Sequence, residues 1–401
     1  MRELFKNANY DFMGPRRKLV GISLVLLLFG ALLVGIHGIK LGIEFSGGTE
    51  VQLKYAATPD VAAIRSALEA GGMEGAVVTT IGAPEENEVY IRLAATAEEA
   101  NPTQRVVDLL HERSGAKGPS ADALDLNVAD EPTLETRLKG APGLDEARAA
   151  ELAQAISAQR KQLAIFHSLD DVAAVSGMTP EVRQFLAQQA WVGPMALRSQ
   201  SYVGPAVGRE LVFKALWAIG GSLAGMLAYI WFRFQFQWGL AAVIALVHDT
   251  VITLGLFSLF GMEMSLAVVA AFLTLIGYSV NDSVVVFDRI RENLQARRGG
   301  SLEDTINLSI NQTLSRTTIT SMLTWFTAFA LYLFGGPALN PFSFVLVVGV
   351  IVGTYSSVYI ACPLLVLWQH YFADRRKAAA AAPVTADAPR KAKKVRSSTS
   401  G

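Results

Sequence analysis

The sequence predicts a polytopic α-helical membrane protein of six transmembrane helices, with an α+β ferredoxin-like extracytoplasmic domain that carries a helical insertion. Three observations lead there. Six apolar stretches are each long enough to cross a hydrocarbon layer of about 30 Å at 1.5 Å per residue. The segment between the first two changes from strand period to helix period and back. The charges, 35 basic and 35 acidic in 401 residues, are segregated along the chain.

The neutral sum conceals that segregation. Residues 1–18 hold five basic and two acidic side chains, 40–210 hold 15 and 24, 211–373 hold seven of each, and 374–401 hold eight and two. The longest polar stretch is acidic, which excludes a nucleic-acid binder with a general basic surface. An apolar content of 51% excludes a disordered acidic chain.

Taken in order, residues 1–18 form a basic N-terminus ending in Arg16, Arg17 and Lys18, and the first span, 19–39, has no Asp, Glu, Lys or Arg. Its apolar core is too long for a signal peptide, so it reads as a retained anchor. In the external segment, EVQLKY alternates with period two as a strand, and VAAIRSALEAGG reads as a helix led by Thr58 to Asp60 and ended by Gly71 and Gly72. AVVTTIGA and NEVYIRLAA read as a hairpin, TQRVVDLLHERSG as a second helix, and Ala196 to Tyr202 as a closing strand. That β, α, β, β, α, β order is what suggests the ferredoxin-like sandwich. Residues 121–190 form an insertion with two helix-hairpin-helix-like segments. Its acidity argues for packing or partner docking, and no nucleic acid is expected. The single cysteine, Cys362, lies in the last span, so no disulfide holds the external segment.

Five further spans follow at 211–232, 239–260, 265–287, 315–334 and 342–368, within a membrane region of 211–370. Lysine and arginine orient them. Arg16, Arg17, Lys18, Arg233, Arg289, Arg291, Arg297, Arg298, Arg375, Arg376 and Lys377 all fall on one side, whereas the loops at 261–263 and 335–341 carry no basic residue. The positive-inside rule places both termini in the cytoplasm and 40–210 outside. The tail, 371–401, is read as a disordered basic segment, either simply solvated or drawn to anionic lipid.

The residues that should not be in lipid are the informative ones. An Asp or Arg at a span centre costs about 2.5 to 3.5 kcal/mol on the insertion scale, so such groups face a bundle interior and have partners. They are His248 and Asp249 in the third span, Asn281 and Asp282 in the fourth, and Arg316 in the fifth. Asp282 and Arg316 are expected to meet, with Asp249 nearer mid-membrane. A carboxylate that gains and loses a proton as its arginine partner moves is a transport element; the alternative is a static ion pair that sets helix register. Glu263 is expected to be a solvated loop residue. Gly220, Gly221, Gly225, Gly255, Gly277 and Gly353 are expected to let helices approach closely. There is no Walker A loop, HExxH helix, GxSxG elbow or zinc-spaced cluster, so no enzyme activity, cofactor or metal is expected, and energy must come from an ion gradient or a partner.

GIEFSGGTEV after the first span, VGPAVGREL before the second, ALVHDTVITLG, IGYSVNDSVVVFDRIREN and LSRTTITSMLTWFTAFALYLFGG stand in one order over about 40–110 and 193–370. Together they closely resemble the SecF family, the smaller component of the bacterial SecDF protein-export complex. The resemblance implies half of an RND-type transporter in the bacterial cytoplasmic (inner) membrane. It implies pairing with SecD at the SecYEG translocon, YajC as a further candidate partner, and unfolded preproteins pulled outward by the proton-motive force. It places the family's intramembrane charges on Asp282 and Arg316, with Asp249 a typical feature. The motif after the first helix falls on Glu44, Phe45, Gly47 and Gly48, with Glu44 where the family usually has aspartate. It assigns no role to the insertion. Two alternatives stay open: an RND-type proton-coupled exporter of small molecules or lipids, and a non-transporting translocon scaffold.

Overall fold

The computed structural model describes residues 5, 8–94, 102–120, 122–234, 236–296, 300–369 and 371. Arg297, Arg298, Arg375, Arg376, Lys377 and nearly all of the basic tail, on which part of the topology argument rests, lie outside the described residues.

Helix α1 (Arg16–His37) is apolar beyond Lys18 and ends where Gly38 takes a φ of 68°. After it come β1 (Lys40–Leu41), the single turn α2 (Ile43–Ser46) and β2 (Gly48–Tyr55). Helix α3 (Val61–Ala70) starts where the Asp60 carboxylate accepts the Ala63 N–H at 3.0 Å, a side chain filling the place of a missing helical acceptor. Next are β3 (Val77–Ile81), β4 (Glu88–Ala94), α4 (Pro102–Ser114) and β5 (Leu124–Asp125). The insertion supplies α5 (Glu131–Leu138), α6 (Glu146–Leu163), α7 (Leu169–Ala173) and α8 (Pro180–Gln189). The chain returns through β6 (Ala190–Trp191) and β7 (Met195–Val203).

Strands β3-β4-β2-β7 form one antiparallel sheet in that order. Val51, Leu53, Val78, Val89 and Ile91 alternate onto its buried face, where Leu68, Val106 and Val107 of α3 and α4 cover them. The insertion builds its own core from Leu134, Leu138, Ile156 and Phe166. It is fastened at its base by the two-residue parallel pairing of β5 with β6. Asn127, fully buried, spans that base: its amide donates to the Phe166 and Gly193 carbonyls and accepts from the Phe166 N–H, each at 2.9 Å. Within the insertion α5 packs on α6, and the short α7 is followed by α8.

Helices α9 (Pro205–Arg233), α10 (Phe236–Leu259), α11 (Leu266–Ala296) and α12 (Leu302–Phe334) follow, with β8 (Glu263–Met264) between α10 and α11. Helix α13 (Gly336–Ser356) runs on to Gln369 through one π turn, Ser357–Ala361. With α1, these are six helices long and apolar enough to cross a membrane, and the protein is a multi-pass membrane protein. Helices α10, α11 and α13 make the bundle centre; most of α9 is exposed.

The first turns of α12 start well before the apolar window. Asn307 and Asn311 accept from the backbone N–H groups of Tyr10, Phe12 and Met13, each at 2.9 Å, and Arg16 meets Glu303 at 2.5 Å. That polar face belongs to the N-terminus, which a hydropathy window cannot detect.

Only two of the six glycines fit the close-contact expectation. A Cβ on Gly255 would lie 2.4 Å from the Gly30 Cα, so α1 and α10 touch backbone to backbone there, and Gly353 packs against Ser279. Gly220, Gly221, Gly225 and Gly277 face open space. Glu263 keeps 40% of its side chain exposed, as a solvated residue would, and is also paired. It pairs with Lys40 in a short parallel ladder of β1 with β8, and its carboxylate meets Arg92 of β4 at 2.6 Å. Arg92 also donates to the Leu41 carbonyl, so this group ties the sheet to the membrane helices. Glu50 of β2 is nearby, and burial, with help from the charges of Glu44 and Glu263, holds its carboxyl above the usual carboxylate range.

Candidate functional site

The polar side chains of the spans gather where α10, α11 and α13 meet, with α12 alongside. Asp249 is fully buried. Its Oδ2 accepts from Ser279 Oγ of α11 at 2.6 Å and from Ser356 Oγ of α13 at 2.7 Å, and its Oδ1 lies 3.0 Å from His248 Nδ1. Three polar neighbours do for this carboxylate what water would otherwise do, the condition for keeping it among apolar helices. Gly353 makes the arrangement possible: a Cβ there would stand 3.2 Å from Ser279 Cβ and 3.6 Å from Asp249 Oδ2. His248 is buried as well, and its Nε2 finds no protein partner. It lines an apolar cavity of about 310 Å³ together with Val20 and Leu24 of α1, Val247 of α10 and Leu364 of the last helix.

Asp282 lies three residues beyond Ser279, on the same face of α11. It is buried, and its Oδ2 lies a long 3.3 Å from Ser321 Oγ of α12, with the Thr354 hydroxyl of α13 also bearing on its carboxylate. Ser321 in turn accepts from Thr354 Oγ1 of α13 at 2.8 Å. The two carboxylates are therefore held from one segment of α13, Gly353 to Ser356.

The expected meeting of Asp282 with Arg316 is not made. The Arg316 charge bears on Asp282, but no salt bridge joins them among the described residues, and the Arg316 side chain is exposed. Arg316 is five residues from Ser321, so at about 100° per residue it points to a different face of α12. Asn281 is exposed for the same reason, being one position away from the buried Asp282.

The motif after the first helix forms a separate group. Glu44 and Phe45 sit in α2, and Gly47 and Gly48 take φ values of 73° and 142°, which only glycine adopts without strain. Phe45 is buried, and its carbonyl would stand 2.9 Å from a Cβ at Gly208, so the loop clasps the start of α9. These residues position a helix and lie apart from the carboxylates. Among the described residues no group of three or more His, Cys, Asp or Glu is arranged to hold a metal.

Sequence reasoning missed Ser279, Ser321, Thr354 and Ser356, because a lone hydroxyl in a span looks like any small residue. The available signals were Ser279 at helical spacing from Asp282 and the GTYSS run in an otherwise apolar span.

Residues 33–59 match the SecD/SecF GG motif, and 186–371 match the C-terminal model of the protein export membrane protein SecD/SecF. A protein translocase subunit SecF of Koribacter versatilis is 40% identical over 98% of this chain and 99% of its own length. Another, from Desulfurispirillum indicum, is 36% identical over 89% of this chain and 91% of its own. The crystal structure of SecDF, a translocon-associated membrane protein from Thermus thermophilus, superposes with a TM-score of 0.63 at 29% identity, covering 91% of this chain. This chain spans only 39% of that longer SecDF chain. Likeness along nearly the full length of its relatives, with the glycine loop and the helices that carry the buried carboxylates each matched, makes this chain a member of the SecF family.

Proposed function

We propose that this chain is a proton-motive-force-driven accessory subunit of the Sec translocon which, together with SecD, promotes preprotein translocation and release across the bacterial cytoplasmic membrane. One observation carries the reading: Arg316 and Asn281, on helices that cross the membrane, are exposed in the isolated chain. Leaving an arginine to face hydrocarbon costs about 2.5 to 3.5 kcal/mol on the insertion scale. A second six-helix half laid against α11 and α12 removes that cost and brings Arg316 into a bundle interior. The SecF names of the relatives and the greater length of the SecDF chain support SecD as that half.

In this reading Asp282 exchanges the proton, Arg316 supplies the movable countercharge, and Asp249 with His248 forms a second carboxylate station. The proton gradient is the only energy source, and the subunit performs no covalent chemistry. Both termini are cytoplasmic. The antiparallel order β3-β4-β2-β7 with two helices on one face supports a ferredoxin-like domain, which stands outside and carries the insertion as a docking element. SecYEG, YajC and unfolded preproteins are the remaining partners.

The test is preprotein release from vesicles containing this chain, SecD and the translocon. Release should stop with a protonophore and with Asp282→Asn or Arg316→Ala; wild-type rates in both variants would refute proton coupling. The threefold satisfaction of Asp249 favours a second reading, in which that carboxylate is a static hub, and full export by Asp249→Asn would support it.

A further inference from the structure

The last helix presents a hydroxyl to each carboxylate from nearly adjacent positions. Thr354 and Ser356 are two residues apart, about 200° around the helix and about 3 Å along it, so they face different neighbours. Thr354 reaches Asp282 through Ser321 and also bears on it itself, and Ser356 reaches Asp249 directly. Each hydroxyl has one proton and two acceptors within reach. Thr354 Oγ1 lies 2.8 Å from Ser321 Oγ and 2.7 Å from the Val350 carbonyl of its own helix. Ser356 Oγ lies 2.7 Å from Asp249 Oδ2 and 3.1 Å from the Gly353 carbonyl of its own helix. The π turn Ser357–Ala361 begins at the next residue. There Ser357 Oγ donates to the Thr354 carbonyl at 2.9 Å, and Cys362 Sγ to the Ser357 carbonyl at 3.2 Å. Such single π turns inside α-helices occur frequently at functional sites.

We propose that Thr354 and Ser356 are positioning residues that relay the protonation state of Asp282 and Asp249 to the backbone of the last helix at its π turn. While Asp249 is ionised, it draws the Ser356 hydroxyl proton. Once Asp249 carries a proton, its own O–H donates to the serine oxygen, and the Ser356 proton turns to the Gly353 carbonyl. For Asp282 the same exchange reverses a chain: Asp282 O–H donates to Ser321, Ser321 to Thr354, and Thr354 to Val350. One proton enters and the others only rotate. A hydroxyl that bonds back to a carbonyl three or four residues earlier bends a helix, so each proton bound changes the last helix just ahead of its irregular turn. The other titratable or charged groups in reach are His248 beside Asp249, and Arg316 and Tyr278 beside Asp282. Between the two hydroxyls, Tyr355 is bonded to the Leu19 carbonyl and to Ser23 Oγ, which anchors this segment to α1.

This rests on the proton-coupled reading above, and the experiment separates the two. Full-length protein with SecD and the translocon is placed in vesicles, and protonophore-sensitive preprotein release is measured against pH. Ser356→Ala and Thr354→Val should each slow release about tenfold, the size of one well-made hydrogen bond, and flatten its pH profile. Ser356→Thr and Thr354→Ser, which keep the hydroxyl, should restore both. A loss by the same factor at every pH, or a wild-type profile in the hydroxyl-free variants, would overturn the relay while leaving proton coupling intact. Protonophore-insensitive wild-type release would remove the coupling itself and the relay with it. If one hydroxyl-free variant fails to assemble, the other position gives the same reading.

Discussion

The two buried carboxylates are built to opposite standards. Asp249 has no exposed surface and is held by Ser279, Ser356 and His248, all from this chain. Asp282 is nearly as buried, but its contact to Ser321 is long and its cationic neighbour Arg316 is exposed. A site complete within one chain serves packing first, because removing it leaves donors stranded. A site left incomplete serves whatever completes it. The difference teaches that, in the proton-coupled reading proposed above, the Asp249 station is complete within this chain and also supports its packing, whereas the Asp282 station needs a partner.

Substitutions should split along that line. The largest effect belongs to Asp282→Asn and Arg316→Ala, which should abolish proton-driven release while the thermal melting of the isolated chain stays close to wild type. A melting loss larger than that of Asp249→Ala would break the comparison. Asp249→Ala should slow release and, by leaving Ser279 and His248 without their acceptor at about 1 to 3 kcal/mol for each unsatisfied donor, should in addition lower the melting temperature of the chain without SecD. Gly255→Val, forced against Gly30 at the α1–α10 crossing, should cost about 1 to 3 kcal/mol by overpacking, with little change in the pH profile of release.

The smallest effect lies in the sheet domain. Burial raises the Glu50 carboxyl above its ordinary value. The neutral form is therefore the one the fold prefers: its contribution is fully present in acid and is lost as pH rises through the raised value. Glu50→Gln should flatten the pH dependence of that domain's melting and stabilise it on the alkaline side. Unchanged pH dependence in the variant would show that Glu50 is not its source.

The spans and the sheet were legible because burial imposes a period on the sequence. EVQLKY had to alternate once one face met α3 and α4, and Leu19 to Ile39 had to be uncharged to sit in a membrane. Asp249 and Asp282 stood out because charge in an apolar run is costly. What stayed hidden was orientation around a helix. Nothing local says that Arg316 turns outward while Thr317, one residue on, turns inward, or that Gly277 faces open space while Gly255 meets a backbone. Those choices are made by neighbouring helices, and the pairing of Glu263 with Arg92 was made by a distant strand.

The central claim is that the Asp282 station is finished by another chain lying over Asn281 and Arg316. Asn281→Cys tests it directly, because the native Cys362 is fully buried and leaves the new thiol as the reactive one. A spin label at position 281 in lipid bilayers should be strongly relaxed by a lipid-phase paramagnetic reagent when the chain is alone, and should lose most of that relaxation when SecD is reconstituted with it. Equal relaxation with and without SecD would contradict the account.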